Sequence, residues 1–194
     1  MQTAISIIYT ISGILYTFIA GRGKVYCYLF GIIATCCYSY LAFQNHIFGN
    51  FLLNIGYYLP MQIIGIFEWK KHLKKDKQEI IKQNLANKER FFLGSISVIA
   101  CIILVSYLNY SKETTPLLDG TTTILSILGM YLTVKRCIEQ WLIWIIVNSL
   151  TIIMWIKLSL KNTQTYSTII VWTIYLILGI YFYIQWRKEL TQEK

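Results

Sequence analysis

The sequence is short of charged residues. Asp, Glu, Lys and Arg make up 14% of its 194 residues, against about 25% in soluble domains. Residues 25–67 contain no charged residue at all. Together with a hydrophobic content of 56% and a mean hydropathy of +0.51, this shortage excludes an ordinary soluble domain and indicates an integral membrane protein.

Acidic residues are scarcer than basic ones, with 9 against 18. No acidic residue falls within a predicted membrane span. Carboxylates inside spans are the usual basis of proton relays, so their shortage favours passive movement of a substrate over ion-coupled pumping. Paired carboxylates, a nucleophile with a base and a phosphate-binding glycine loop are also missing. The sequence therefore predicts neither an enzyme nor a cofactor.

The remaining candidate ligands form no metal-binding pattern. The five cysteines lie in or beside apolar runs, and we expect them to be small buried thiols. His46 and His72 have no carboxylate or cysteine at metal-ligand spacing, so we expect both on the solvated surface. The net charge of +9 does not indicate nucleic acid, because the basic residues sit in short connections between apolar runs.

Seven apolar runs are long enough to cross a membrane, each needing roughly 20 residues. The first is interpreted as a retained span because it lacks the basic start and the cleavage site of a signal peptide. The uncharged stretch 25–67 is too long for one crossing and divides at residues 44–46. The predicted spans are residues 2–20, 25–43, 48–67, 91–109, 120–134, 140–156 and 166–186.

The basic residues predict the orientation of the chain. With seven crossings, all 18 basic residues except Lys112, Lys157 and Lys161 fall on one side. The positive-inside rule places that side in the cytoplasm, with the N-terminus outside and the C-terminus inside. The basic run 70–77 is a candidate contact for anionic lipid headgroups.

The two ends of the chain resemble each other. A shift of 117 residues pairs Tyr58 with Tyr175 and Trp69 with Trp186 without gaps. A three-plus-one-plus-three arrangement gives both halves the same orientation, which is a parallel repeat of the kind found in transporters. We therefore predict a first repeat at 1–69, a basic loop at 70–90, a linker helix at 91–110, a second repeat at 119–187 and a tail at 188–194.

One face of the sixth predicted span carries aromatic rings and one amide. Trp141, Trp144, Asn148 and Trp155 fall within roughly 60° of each other on a helix. Lipid tails offer an amide no partner, so Asn148 is expected to point inward. The face suits a flat polar ring, but tryptophans at a membrane interface and an amide that bonds a neighbouring helix explain it equally.

The third predicted span shows a similar pattern. Asn54, Tyr58 and Gln62 follow each other at intervals of four residues, and amides on a membrane helix must meet each other, backbone or substrate. Pro60 removes a backbone donor inside this span, which predicts a kink near Tyr57. The kink is either a hinge or a fixed bend in the helix.

The start of the fifth predicted span carries a carboxylate and hydroxyls. Asp119 precedes the apolar run and is expected to cap the helix N-terminus. Thr122 and Ser126 lie one turn apart, where their hydroxyls either bond a substrate or bond preceding backbone carbonyls.

These motifs resemble those of PnuC, the bacterial nicotinamide riboside transporter family. The stretch Trp141-x-x-Trp144-x-x-x-Asn148 is similar to its Trp-x-x-Trp-x-x-x-Asn signature. The resemblance implies a SWEET-like fold, a homotrimer, and facilitated diffusion with trapping by cytoplasmic phosphorylation. It implies that the nicotinamide or ribose contacts Trp144, Asn148 and Gln62, and it extends more weakly to Trp141, Asn54, Tyr58 and Thr122.

Two alternatives remain open at the level of the sequence. Thiamine and riboflavin also combine a heteroaromatic ring with polar groups, so the same scaffold could carry either vitamin. A membrane adaptor that binds a partner through the basic loop at 70–90, without transport, is the alternative from another class.

Overall fold

The computed structural model describes residues 2–75, 78–112, 114–159 and 166–192. These residues form an all-helical chain, as the sequence predicts. A π-helix, Asn54–Tyr58, joins α3 to α4 without a break. The α-helices are α1 (Gln2–Gly21), α2 (Cys27–Gln44), α3 (Phe48–Leu53), α4 (Leu59–Lys71), α5 (Asn87–Tyr110), α6 (Pro116–Val134), α7 (Glu139–Ser159) and α8 (Tyr166–Gln192).

Six helices in the described part of the chain are long and apolar enough to cross a membrane, namely α1, α2, α5, α6, α7 and α8. The third predicted span is also helical, from Phe48 to Lys71, but its π-helical middle divides it into shorter pieces. The chain is therefore a multi-pass membrane protein.

The π-helix explains how the third predicted span accommodates its proline. Pro60 has no N–H to donate to the carbonyl of Gly56, and its ring clashes with that carbonyl in a regular α-helix. The wider turn relieves the clash, and the Leu59 N–H bonds the Asn54 carbonyl five residues back. The deformation predicted near Tyr57 is thus present as a π-helical turn.

The chain divides into two compact units. The first comprises Met1–Lys82 with Thr133–Arg136, and the second comprises Gln83–Leu132 with Cys137–Lys194. Each unit contains one of the two tryptophans that the predicted repeat pairs with each other.

Two glycines bring α2 and α4 together in the first unit. A Cβ on Gly65 would lie 2.5 Å from the Tyr28 hydroxyl oxygen, and a Cβ on Gly31 would lie 2.6 Å from the Gln62 Nε2 atom. No side chain larger than hydrogen fits either position unless its neighbour moves. Tyr28 of α2 therefore packs on Gly65 of α4, and Gln62 of α4 packs on Gly31 of α2.

A buried arginine, Arg136, links the end of α4 to the connection that follows it. Arg136 donates to the Glu68 carboxylate at 3.0 Å and to the Ile81 carbonyl at 3.1 Å. The hydrogen bond from Arg136 holds the Glu68 pKa below its ordinary value of about 4.5. The Trp69 indole also donates to the Thr133 carbonyl at 2.9 Å.

Arg136 occupies a backbone position that normally favours glycine. Its φ is 59°, and its N–H bonds the Thr133 carbonyl at the end of α6. A left-handed residue with a side chain costs roughly 1–2 kcal/mol. The two bonds of the guanidinium give a physical reason for an arginine here.

In the described part of the connection after α4, which the sequence predicts as a basic loop, some residues pack into the protein while others stay exposed. Ile80 and Lys82 are buried, and the Ile80 N–H bonds the Gly23 carbonyl at 3.0 Å. In the second unit, Glu139 accepts from the Leu85 N–H at 3.1 Å and from the Arg90 Nε at 3.1 Å.

In the second unit, α7 and α8 are joined by an aromatic cluster. Trp141 lies 5.4 Å from the ring of Phe182 and 5.6 Å from that of Trp186. Gly120 and Gly179 allow close approach elsewhere, since a Cβ on them would meet Val105 and Ile145 respectively.

His72 keeps 41% of its side-chain surface exposed, as expected for a surface residue, and its Nδ1 lies 2.9 Å from the Glu68 carbonyl oxygen. Two local predictions were wrong. Asp119 is not a helix cap, because α6 already begins at Pro116, a residue suited to the first helical position, and Asp119 lies in the first turn. Cys36 is exposed, whereas Cys27 and Cys137 are the buried thiols that we expected. Residues 193 and 194 of the predicted tail lie outside the described residues.

The close contact at Gly65 predicts the effect of adding one methyl group. Gly65→Ala should lower the unfolding free energy by about 1–3 kcal/mol, because the new Cβ displaces the Tyr28 ring. Gly94→Ala is the matched control, since nothing lies within 4 Å of its Cβ position on α5. Thermal unfolding of both variants in the same detergent measures the difference, and equal melting temperatures would contradict the packing described.

Candidate functional site

The polar residues predicted on the third span lie in the π-helix and in α4. Asn54 lies in the π-helix, buried, and its Nδ2 donates to the Asn50 carbonyl at 2.8 Å. Tyr58 ends the π-helix, is half-buried, and packs edge-on to Tyr57 with 5.3 Å between the ring centres. The Asn54 amide is thus partly engaged by its own helix.

Gln62 differs from Asn54 because its carbonyl oxygen is not engaged. The side chain fills the space left by Gly31 and is 5% exposed. Its Oε1 is buried without a hydrogen-bond partner among the described residues. An unsatisfied buried polar atom costs about 1–3 kcal/mol, so this acceptor is positioned to bind a donor supplied from outside the chain.

A second polar atom of the first unit was missed from the sequence. The Tyr28 hydroxyl is fully buried and has no hydrogen-bond partner in the described part of the chain. Its ring packs edge-on against Trp69 at 5.0 Å. The spacing of Tyr28, Gly31, Thr35 and Ser39, all buried on α2, is the helical signal that could have revealed this face.

In the second unit, α7 carries the aromatic face that the sequence predicts. Trp141 is 3% exposed, and its indole N–H has no hydrogen-bond partner among the described residues. An indole N–H can only donate. The cluster with Phe182 and Trp186 surrounds the ring, so Trp141 combines a packing role with an unused donor.

Trp144 and Asn148 follow Trp141 on the same helix. Gly129 on α6 makes room for the Trp144 indole, whose nearest ring atom would lie 3.0 Å from a Cβ at that glycine. Asn148 is 4% exposed, which confirms that it points inward. Thr151, one turn further and also buried, is a polar residue that the sequence analysis missed.

Thr122 follows the second of the two alternatives for its hydroxyl. The Oγ1 donates to backbone carbonyls of its own helix, at 2.8 Å from Leu118 and 3.1 Å from Asp119. Its proton is therefore used locally, and only an oxygen lone pair remains for another group. Thr122 thus offers a ligand less than Gln62 or Trp141 does.

Each unit therefore offers neutral recognition groups. The first contains a buried acceptor, Gln62 Oε1, and the second contains a buried donor, Trp141 Nε1, beside the Trp144 ring and the Asn148 amide. All seven predicted site residues are uncharged. Such groups can stack on an aromatic ring and hydrogen-bond an amide or hydroxyl.

Known proteins share this architecture. A family model described as nicotinamide mononucleotide transporter matches residues 3–188. The nicotinamide riboside transporters PnuC of Neisseria mucosa and Haemophilus influenzae are 32% and 31% identical, over 92% of this chain and 70% and 76% of theirs. The crystal structure of the vitamin B3 transporter PnuC superimposes with a TM-score of 0.82 at 29% identity, covering 99% of this chain and 84% of that one.

The match thus extends over almost the whole chain and includes both units. The resemblance inferred from the tryptophan and asparagine motif is confirmed. The chain belongs to the nicotinamide mononucleotide transporter family and is a relative of the PnuC transporters.

Proposed function

We propose that this protein imports nicotinamide riboside across the bacterial inner membrane by facilitated diffusion. The observation that carries the proposal is that Gln62 Oε1 and Trp141 Nε1, like the Tyr28 hydroxyl, are buried without hydrogen-bond partners among the described residues. Gln62 and Trp141 lie on two of the helices that carry predicted site residues. A membrane protein gains nothing structurally from such atoms, whereas a polar ligand satisfies them.

The chemistry of nicotinamide riboside fits these groups. Its carboxamide offers both a donor and an acceptor, so it can bond Gln62 Oε1 of the first unit, or Trp141 Nε1 and the Asn148 amide of the second. Its pyridinium ring is flat and positively charged, so the face of Trp144 stabilises it by stacking and by cation–π attraction. Asn54, Tyr58 and Thr122 complete the proposed site as partners for ribose hydroxyls.

The seven proposed site residues are uncharged, which favours the riboside over the mononucleotide after which the family is named. A phosphate group is usually held by Arg, Lys or several backbone N–H groups, and none of the seven proposed residues is basic. A riboside lacking phosphate leaves no anion to neutralise. Phosphorylation in the cytoplasm would then trap the imported substrate.

We further propose that the chain crosses the membrane seven times, as three, one and three helices in a SWEET-like parallel repeat. The aromatic packing supports this arrangement. Trp69 packs edge-on against an aromatic residue near the start of α2, and Trp186, its partner in the repeat, packs edge-on against one near the start of α7. In this arrangement the C-terminus lies in the cytoplasm.

Helix α5 is proposed as the linker between repeats. None of its described residues is buried within the chain, as expected for a helix that meets lipid or other copies of the protein. The homotrimer implied by the family resemblance gives it a second kind of partner, beside membrane lipid.

The adaptor function has less support than transport. Its proposed binding element, the loop at 70–90, is held by backbone hydrogen bonds and has Ile80, Lys82 and Leu85 buried. A segment packed in this way stabilises the helix ends, so its deletion would unfold the protein under either function.

Uptake by the purified protein in lipid vesicles tests the proposal. Labelled nicotinamide riboside should equilibrate across the membrane, and uncouplers should not change the rate. Excess unlabelled riboside should compete, whereas thiamine, riboflavin and the mononucleotide should not. Uptake that strictly requires a sodium or proton gradient, or stronger competition by thiamine, would refute the proposal.

Replacing the buried amide on α7 tests the site itself. Asn148→Leu should weaken riboside binding by about 1–3 kcal/mol, because one buried polar partner is lost, while the melting temperature without ligand changes little. Asn109→Leu, at an exposed position on α5, is the matched control and should bind normally. Calorimetry measures both affinities, and unchanged binding in Asn148→Leu would show that the amide only ties helices together.

A further inference from the structure

A cavity of about 330 Å³ lies in the first unit, between the start of α2 and the end of α4. Its walls are mainly apolar and include Val25, Leu29, Ile66 and Leu73. The cavity shares no residue with the proposed substrate site, so the transport function does not account for it.

The rim of the cavity is polar and carries a free positive charge. Tyr26, Lys70 and Gln78 complete the lining. Lys70 has no ion-pair or hydrogen-bond partner within the residues that the structure describes, whereas nearby Lys24 lies 3.8 Å from the Glu79 carboxylate and 3.5 Å from Gln78 Oε1. The chain neutralises one of these cations and leaves the other available.

The cavity lies where a lipid can reach it. Tyr26 is 53% exposed and Leu29 is 58% exposed, and exposed apolar side chains on a membrane helix face acyl chains. Lys70 directly follows the apolar part of α4, at the level where lysines and tyrosines meet lipid headgroups. The opening therefore spans the boundary between acyl chains and headgroups.

We propose that this cavity binds one anionic phospholipid. An acyl chain occupies the apolar walls formed by Val25, Leu29 and Ile66, and the phosphate pairs with the Lys70 ammonium. A free phosphate ion would use only the rim, so the apolar walls assign the site to a lipid, and basic pockets between membrane helices commonly bind such headgroups.

Native mass spectrometry of the purified protein tests this proposal, after incubation with phosphatidylglycerol or phosphatidylcholine. The wild type should retain more phosphatidylglycerol. Lys70→Gln should reduce that retention about fivefold, which corresponds to ~1 kcal/mol for one lysine near the headgroups. Leu29→Trp should fill the cavity and reduce retention of both lipids.

Lys75→Gln is the matched control, because Lys75 is exposed in the connection just after α4 but does not line the cavity. It should retain phosphatidylglycerol as the wild type does. Equal retention of the two lipids, an equal loss in Lys75→Gln, or displacement by inorganic phosphate alone would overturn the proposal. Dissociation of an oligomer by Leu29→Trp with unchanged lipid retention would also overturn it, and would assign the cavity to a contact between copies.

Discussion

The structure depends on one constraint, which is that polar groups among membrane helices must find partners inside the protein. Several of the buried polar side chains discussed above obey it through their own helix backbone. Asn54 and Thr122 bond carbonyls one turn back, and Ser39 bonds the Thr35 carbonyl at 2.7 Å. Against this pattern, Gln62 Oε1, Trp141 Nε1 and the Tyr28 hydroxyl stand out as buried atoms without partners in the described chain. The proposed transport function follows from that contrast.

Glycines determine where these polar groups can lie. Gly31 leaves space for the Gln62 amide, Gly65 for the Tyr28 ring and Gly129 for the Trp144 indole. In each case a glycine on one helix leaves room for a large polar or aromatic side chain from the neighbouring helix. The helix that carries Gln62 directly follows the π-helix that lies upstream of Pro60, so its polar face lies beside this wide turn. A wide turn of this kind is frequent at functional sites.

Much of this fold was predictable because the absence of charge over long runs is a strong signal. The starts and ends of the predicted helices agree with the structure within a few residues for most spans, and the inward position of Asn148 followed from the cost of exposing an amide to lipid. The fold class and the family were thus accessible from composition and one motif.

Other features were not predictable because they depend on contacts between distant residues. The fifth predicted span begins at residue 120, whereas α6 begins at Pro116. Proline is common both in loops and at the first helical position, so sequence alone did not identify this start. Burial of Ile80 follows from bonds to Gly23 and from the Arg136 bond to the neighbouring carbonyl of Ile81, which no local window of sequence contains. The free hydroxyl of Tyr28 likewise becomes visible only once Gly65 is placed beneath its ring.

A structure of the protein determined with nicotinamide riboside bound tests the central claim most directly. The account predicts the carboxamide within hydrogen-bond distance of Gln62 Oε1 or Trp141 Nε1, with the pyridinium ring against Trp144. Ligand bound elsewhere, with both atoms still lacking partners, would contradict it.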